Sequence, residues 1–132
     1  PAAEKVPLLI TGASQQSPEW LARNGDGWLT YPRPVAVQQQ IIGDWRARTT
    51  ASGHGLKPAM QSLYIDLLEK DDAPPQAIHL GFRAGMHYLR AYLKSLEAIG
   101  INHVALNLRF NQANIETTLQ RIADELLPDF TT

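Results

Sequence analysis

The stretch VPLLITGASQQSPEWLARNGDGWLTYPR, residues 6–33, decides the fold. It opens on an apolar run, Val6 to Gly12, that is too short for a helix and ends at a glycine. Runs of this kind read as strands buried on both faces. Ser17-Pro18-Glu19-Trp20 then carries a helix start. Serine caps, proline suits the first helical position, and the acid complements the positive helix end. Asn24-Gly25 stops the helix. A second strand, Gly27 to Pro32, follows and is closed by Pro32 and Pro34. Strand, turn, capped helix and strand make one βαβ unit.

The same rhythm continues to the end of the chain. Pro34 opens a helix in which Val37, Ile41 and Trp45 recur four apart and are expected on its buried face. Thr49 to Pro58, with Gly53 and Gly55, is a loop. Met60 to Leu68 (MQSLYIDLL) is a third strand, and EKDDAPPQA after it is a polar, proline-rich loop. A helix is expected from Arg83 to Ile99, with Met86, Leu89, Leu93 and Leu96 in one stripe and Gly100 as its stop. His103 to Leu108 is a fourth strand. A last helix runs from Asn114 to Leu127, with Ile115, Leu119, Ile122 and Leu126 inward and Pro128 beyond it. The whole predicts an α/β fold of four βα units with parallel strands, in a single partial domain. Four such units are half of a (β/α)8 TIM barrel; an open doubly wound sheet shares the periodicity and remains the alternative.

Composition bounds the function classes. The chain has 132 residues, against about 250 for a complete barrel. It also starts on PAAEKVPLLI, so it is expected to be cut from something longer. With 44% hydrophobic and 19% charged residues the balance is globular. A net charge of −1 gives no broad basic face, so nucleic acid is not an expected partner. Without cysteine there is no disulfide and no thiolate metal site. No apolar run reaches the roughly 18 residues of a membrane helix, and no signal-peptide core opens the chain. A cytoplasmic setting fits these features. Walker, GxGxxG and nucleophile-elbow motifs are absent. His54, His79, His87 and His103 lack ligand spacing, so no metal is expected.

In both candidate folds chemistry belongs at the C-terminal ends of the strands. The first such loop holds Gly12, Ala13, Ser14, Gln15 and Ser17. Backbone amides at a helix start make an anion cradle; the plainer reading is a glycine turn and a serine cap. The loop has no lysine or arginine, so a bound phosphate needs its countercharge from elsewhere. Tyr31 ends the second strand, either as a pocket wall or as core packing beside a surface Arg33; Trp28 is expected to be buried. On the third strand Leu63, Ile65 and Leu67 should face the helices and Ser62, Tyr64 and Asp66 the interior. Asp66 then serves as an acid, a base, a ligand partner or a purely structural carboxylate. Arg83, between Gly81 and Gly85, is expected at a helix start as a further anion contact or a solvated side chain. Asn107 and Arg109 are expected at the mouth of the fourth strand, with Arg109 in reach of Asp66. Asp71-Asp72 is a solvated turn.

Residues 6–33, together with LGFRAGMHYLRAYLKSLEAIGINHVALNLRF, resemble luciferase-like flavin monooxygenases. The first block is similar to the segment from the fifth strand to the sixth, the second to the last βα unit. The resemblance implies the C-terminal half of a TIM barrel, strands five to eight. It implies reduced FMN as cofactor, or a deazaflavin in some branches, and O2-dependent oxidation of a small organic substrate. It places the flavin phosphate on the loop after the fifth strand: Ser14 as main contact, Ala13, Gln15 and Ser17 as neighbours, and Tyr31 near the flavin ring. Bacterial luciferases carry an acid where Ala13 stands. The first four βα units, which would supply much of the pocket and dimer interface, are missing, so the fragment alone is expected to be inactive. Two alternatives stand beside the enzyme: a non-catalytic flavin binder, and a half-barrel that self-associates or pairs with its missing N-terminal half.

Overall fold

The computed structural model describes residues 5–51, 53 and 56–130, so His54 and Gly55 of the expected loop lie outside the described residues. The chain is a mixed α/β protein with a mainly parallel sheet. It divides into two compact units: Pro1–Ser62 with Leu96–Ala105, and Leu63–Ser95 with Leu106–Thr132.

The first unit contains β1 (Leu9–Thr11), α1 (Pro18–Asn24), β2 (Gly27–Thr30), α2 (Val35–Ala51) and the start of β3 (Ala59–Leu67). β1 runs parallel to β2, with Leu9 opposite Gly27, and β2 parallel to β3, with Trp28 opposite Ala59. Ser17 caps α1 as expected, its side chain accepting from the Trp20 amide, and Pro18 is the first helical residue. The first strand is shorter than the sequence suggests, and Val6 is 74% exposed. Trp28 is half-buried and tilts against Trp45 at 5.4 Å.

The buried stripe of α2 is not the expected one. Gln38, Ile42, Trp45 and Thr49 face inward, while Val37 is exposed and Ile41 half-buried. The displacement has a polar cause. Gln38 donates to the Tyr31 carbonyl at 3.1 Å and to Gln61 Oε1 at 2.8 Å. A fully satisfied amide can occupy a core position that a simple apolar count withholds from it. Arg46, further along α2, donates to the carbonyls of Lys57 (2.6 Å) and Gly100 (2.7 Å) and to Asn102 Oδ1. It ties the helix to the chain before β3 and to the turn after the next helix.

The second unit holds the rest of β3, β4 (Gln76–Ile78), β5 (Gly81–Ala84), most of α3 (Met86–Ala98), the end of β6 (His103–Asn107) and α4 (Ile115–Arg121). α4 continues through a π-helical turn, Ile122–Leu126, and a 3₁₀ turn, Leu127–Asp129. β6 pairs with β3. The β4–β5 hairpin departs from a plain βα repeat. Residues 76–84, expected as loop and helix start, are two antiparallel strands, with β5 also parallel to β3. Arg83 is therefore a strand residue and not the opening of a helix. A glycine makes this pairing possible. A Cβ on Gly81 would lie 1.7 Å from the Tyr64 carbonyl oxygen, so no larger residue fits opposite Tyr64.

Met86, Leu89 and Leu93 are buried along α3 as expected. On the last helix Ile122 and Leu126 are buried, but Ile115 and Leu119 are 44% and 52% exposed. Thr118 takes the inward position because its hydroxyl is satisfied, donating to the Asn114 carbonyl and accepting from Asn111. The buried stripe thus runs Thr118, Ile122, Leu126. No helix among the described residues is long and apolar enough to cross a membrane.

Candidate functional site

The loop between β1 and α1 is the most unusual backbone of the first unit. Gly12, Ser14 and Gln15 have φ of 61°, 49° and 57°. The Gln16 amide donates to the Ala13 carbonyl at 2.8 Å. A four-residue turn with positive φ at both central positions is of the type I′ kind, which strongly prefers Gly, Asn or Asp there. Here the central residues are serine and glutamine. Left-handed backbone costs a non-glycine residue about 1–2 kcal/mol, so this turn holds local strain. Part of it is offset by Ser14 Oγ, which donates to the Thr11 carbonyl at 3.0 Å.

Gly12 joins the turn to the end of β2. Its amide donates to the Leu29 carbonyl, and its own carbonyl accepts from Trp28 Nε1, both at 2.8 Å. The Tyr31 ring lies directly against it: a Cβ on Gly12 would come within 3.0 Å of Tyr31 Cε2. Tyr31 is 47% exposed, so it is not core packing. Its carbonyl accepts from Gln38 and from Arg33 Nη1. Arg33 also donates to Thr30 Oγ1 at 2.5 Å and Gln38 Oε1 at 3.0 Å. Every acceptor around this guanidinium is neutral, and among the described residues it has no carboxylate partner. Arg33 is half-buried, and Thr30 and Gln38, both buried, orient it.

Two residues of the loop also face the other way. Ala13 and Gln16 line a cavity of about 360 Å³ between α1 and α2, floored by Trp28 and Trp45. Asp44 and Arg48 stand at its edge and pair at 2.8 Å, with Glu19 3.5 Å from Arg48. Ser14, Gln15, Ser17 and Tyr31 do not line it. The expected phosphate residues thus form one continuous piece of chain with two faces. Ser17 is committed to capping α1.

The remaining expected residues belong to the second unit. Asp66, 1% exposed, accepts from Arg83 Nε at 2.7 Å and from the Gln112 amide at 3.0 Å. Arg109 does not pair with Asp66. It lies over the Phe110 ring at 5.6 Å, past the end of β6, while its amide donates to Asn107 Oδ1. The hairpin brings Arg83 into register with Asp66, where it bonds Oδ2 while the Gln112 amide bonds Oδ1. Asp71 is not simply solvated either: it accepts from Arg121 at 2.9 Å.

No protein-family model matches the chain, and no curated protein aligns with it significantly.

Proposed function

We propose that the chain is the C-terminal half of a (β/α)8 flavin-dependent oxidoreductase of the luciferase-like kind, with the loop from Gly12 to Ser17 holding the flavin phosphate. The observation that carries this reading is the strained turn at Ser14 and Gln15. Backbone strain of about 1–3 kcal/mol per residue persists where the surroundings enforce it, and it concentrates at ligand-binding sites. The residue resemblance selects flavin among the anionic ligands that such a turn suits.

The residues present fit a phosphate monoester. Ser14 and the turn amides supply neutral donors, as loops that cradle phosphates do. Arg33 supplies the cation that the loop lacks, held against Tyr31 by neutral oxygens and free of a competing carboxylate. Arginine suits this role because its fork of donors matches phosphate oxygens. Tyr31, exposed and packed on Gly12, offers a flat face beside the turn for the flavin ring. When bound, reduced flavin supplies the reaction with O2, and the protein's part is to bind, orient and exclude water. FMN is the proposed form and deazaflavin the alternative; the substrate is a small organic molecule.

FMN titration followed by flavin fluorescence tests the reading. Saturable binding is expected, weakened about tenfold in Ser14→Ala and in Arg33→Gln, the size of one charge-assisted hydrogen bond. No binding by the unmodified chain, or variants that bind as tightly as the unmodified chain, refutes it.

A second reading is self-association through β1. Val6, Leu8 and Leu9 are each more than half exposed beside a strand that, among the described residues, pairs only with β2. An apolar strand with an open edge invites another strand. Sedimentation velocity that finds only monomer at high concentration removes this reading.

A further inference from the structure

The strand ends opposite the Gly12–Ser17 loop carry a second, unrelated collection of charge. A polar cavity of about 340 Å³ is lined by Lys5, Arg23, Asn24, Asp26, Leu56 and Lys57. These residues lie before β1, at the end of α1, before β2 and before β3. Three cations share the space with one carboxylate, on a chain whose net charge is −1.

The carboxylate is already committed. Both oxygens of Asp26 accept from Lys5 Nζ at 2.9 Å, and Oδ2 also accepts from the Leu8 amide at 2.8 Å. Lys57 is 6% exposed, and its ammonium donates to the carbonyls of Ala22 (2.5 Å) and Arg23 (3.4 Å). Neither acceptor is charged, and among the described residues the carboxylate that shares the cavity with Lys57 is Asp26, which Lys5 already holds at 2.9 Å. A nearly buried cation is costly unless it is compensated. The Arg23 side chain has no ion pair or hydrogen bond among the described residues and is exposed at the same cavity. Leu56, 76% exposed, gives the rim one apolar contact.

We infer that this cavity is an anion site for a phosphate group, free or carried by a small monoester. Lys57 would act as its fixed buried charge, Arg23 as the mobile fork that closes on it, and Asn24 as a neutral rim residue. The inference does not rest on the flavin reading, since the two sets of residues sit at opposite ends of the same strands and share no side chain.

The test is an NMR titration of the ¹⁵N-labelled chain with inorganic phosphate at constant ionic strength, chloride being the exchanged ion. Saturable shifts are expected at the amides of Arg23, Asn24, Asp26 and Lys57. Arg23→Gln, an exposed change, should leave the remaining spectrum in place and weaken phosphate about tenfold. Lys57→Met should abolish saturation, but the outcome hangs on Arg23→Gln in case the buried change unfolds the chain. Linear shifts without saturation, shifts confined to Gly12–Ser17, or unchanged affinity in Arg23→Gln each overturn the proposal. If it holds, glycerol phosphate in place of inorganic phosphate separates the two sources: tighter binding assigns a monoester, equal or weaker binding free phosphate.

Discussion

Asp66 and Arg83 stand directly opposite each other on adjacent parallel strands, and their side chains meet at 2.7 Å. The two ends are unequal: the carboxylate is 1% exposed and the guanidinium side chain 29%. Removing the arginine strands a buried charge, whereas removing the acid leaves an arginine that can reach water. Arg83→Met is therefore expected to destabilise by about 3 kcal/mol or more and Asp66→Asn by clearly less. Urea midpoints of the two single variants and the double variant would check the order. Equal losses, or a larger loss in Asp66→Asn, would show that the pair is not governed by burial of the carboxylate.

The Ser14–Gln15 turn makes a prediction of opposite sign. Glycine adopts positive φ without a steric penalty but adds freedom to the unfolded chain. Relieving about 1–2 kcal/mol of strain against about 0.5–1 kcal/mol of entropy, Gln15→Gly should raise stability by a few tenths to about 1 kcal/mol. Ser14→Gly gains less, because it also loses the bond to the Thr11 carbonyl. A thermal melt decides it: a lower Tm for Gln15→Gly means the turn is enforced by contacts of the glutamine side chain and not by the backbone around it.

Asp26 sets an acid limit on the first unit. The Leu8 amide bond first, and the Lys5 ammonium second, hold its carboxyl below the usual carboxylate range. A group whose folded pKa is depressed contributes stability above its unfolded pKa, about 3.9, and loses it as pH falls through the lower folded value. The contribution should be complete at neutral pH and fade below about pH 4. Asp26→Asn is expected to flatten that part of the stability profile and to lower stability at pH 7. An unchanged acid limb in the variant would assign the acid sensitivity to other carboxylates.

How far these features could be read from sequence depends on what each required. The third apolar run and the helix stripe of Met86, Leu89 and Leu93 were legible because burial alone dictates them, whereas the first and fourth runs form strands that are largely exposed. The Ser17 cap was legible because a hydroxyl before proline has few other uses. The β4–β5 hairpin was not. Its two-residue connection is His79-Leu80, with Leu80 at φ 51°, and nothing in that dipeptide asks for a turn as Asn-Gly would. The partner of Asp66 followed from the same gap: two arginines were available, and only the unread hairpin chooses between them. Ser14 and Gln15 were singled out as ligand residues, but their left-handed backbone left no mark in residue type. Arg33 was passed over because its supports are Thr30, at the end of β2, and Gln38, in a helix stripe that apolar periodicity assigns to Val37 and Ile41.

Two glycines give the sharpest test of the close approach at the hairpin. Gly81 faces Tyr64, and an added Cβ would lie 1.7 Å from the Tyr64 oxygen, 2.6 Å from its carbon and 2.9 Å from its nitrogen. All three are backbone atoms of a paired strand, so no side-chain rotation can relieve the clash. Gly81→Ala must separate β5 from β3, and with it Arg83 from Asp66. A loss above about 4 kcal/mol is expected, the range reserved for such disruptions. Gly43 is the control: it lies exposed within α2, and an added Cβ meets nothing within 4 Å. Gly43→Ala should stabilise by roughly 0.5–1 kcal/mol through helix propensity alone. Denaturant melts of both variants separate the effects, because the same added methyl group is expected to act in opposite directions. If Gly81→Ala melts within about 1 kcal/mol of the unmodified chain, β5 does not pair with β3 at Tyr64, and the placement of Arg83 beside Asp66 falls with it.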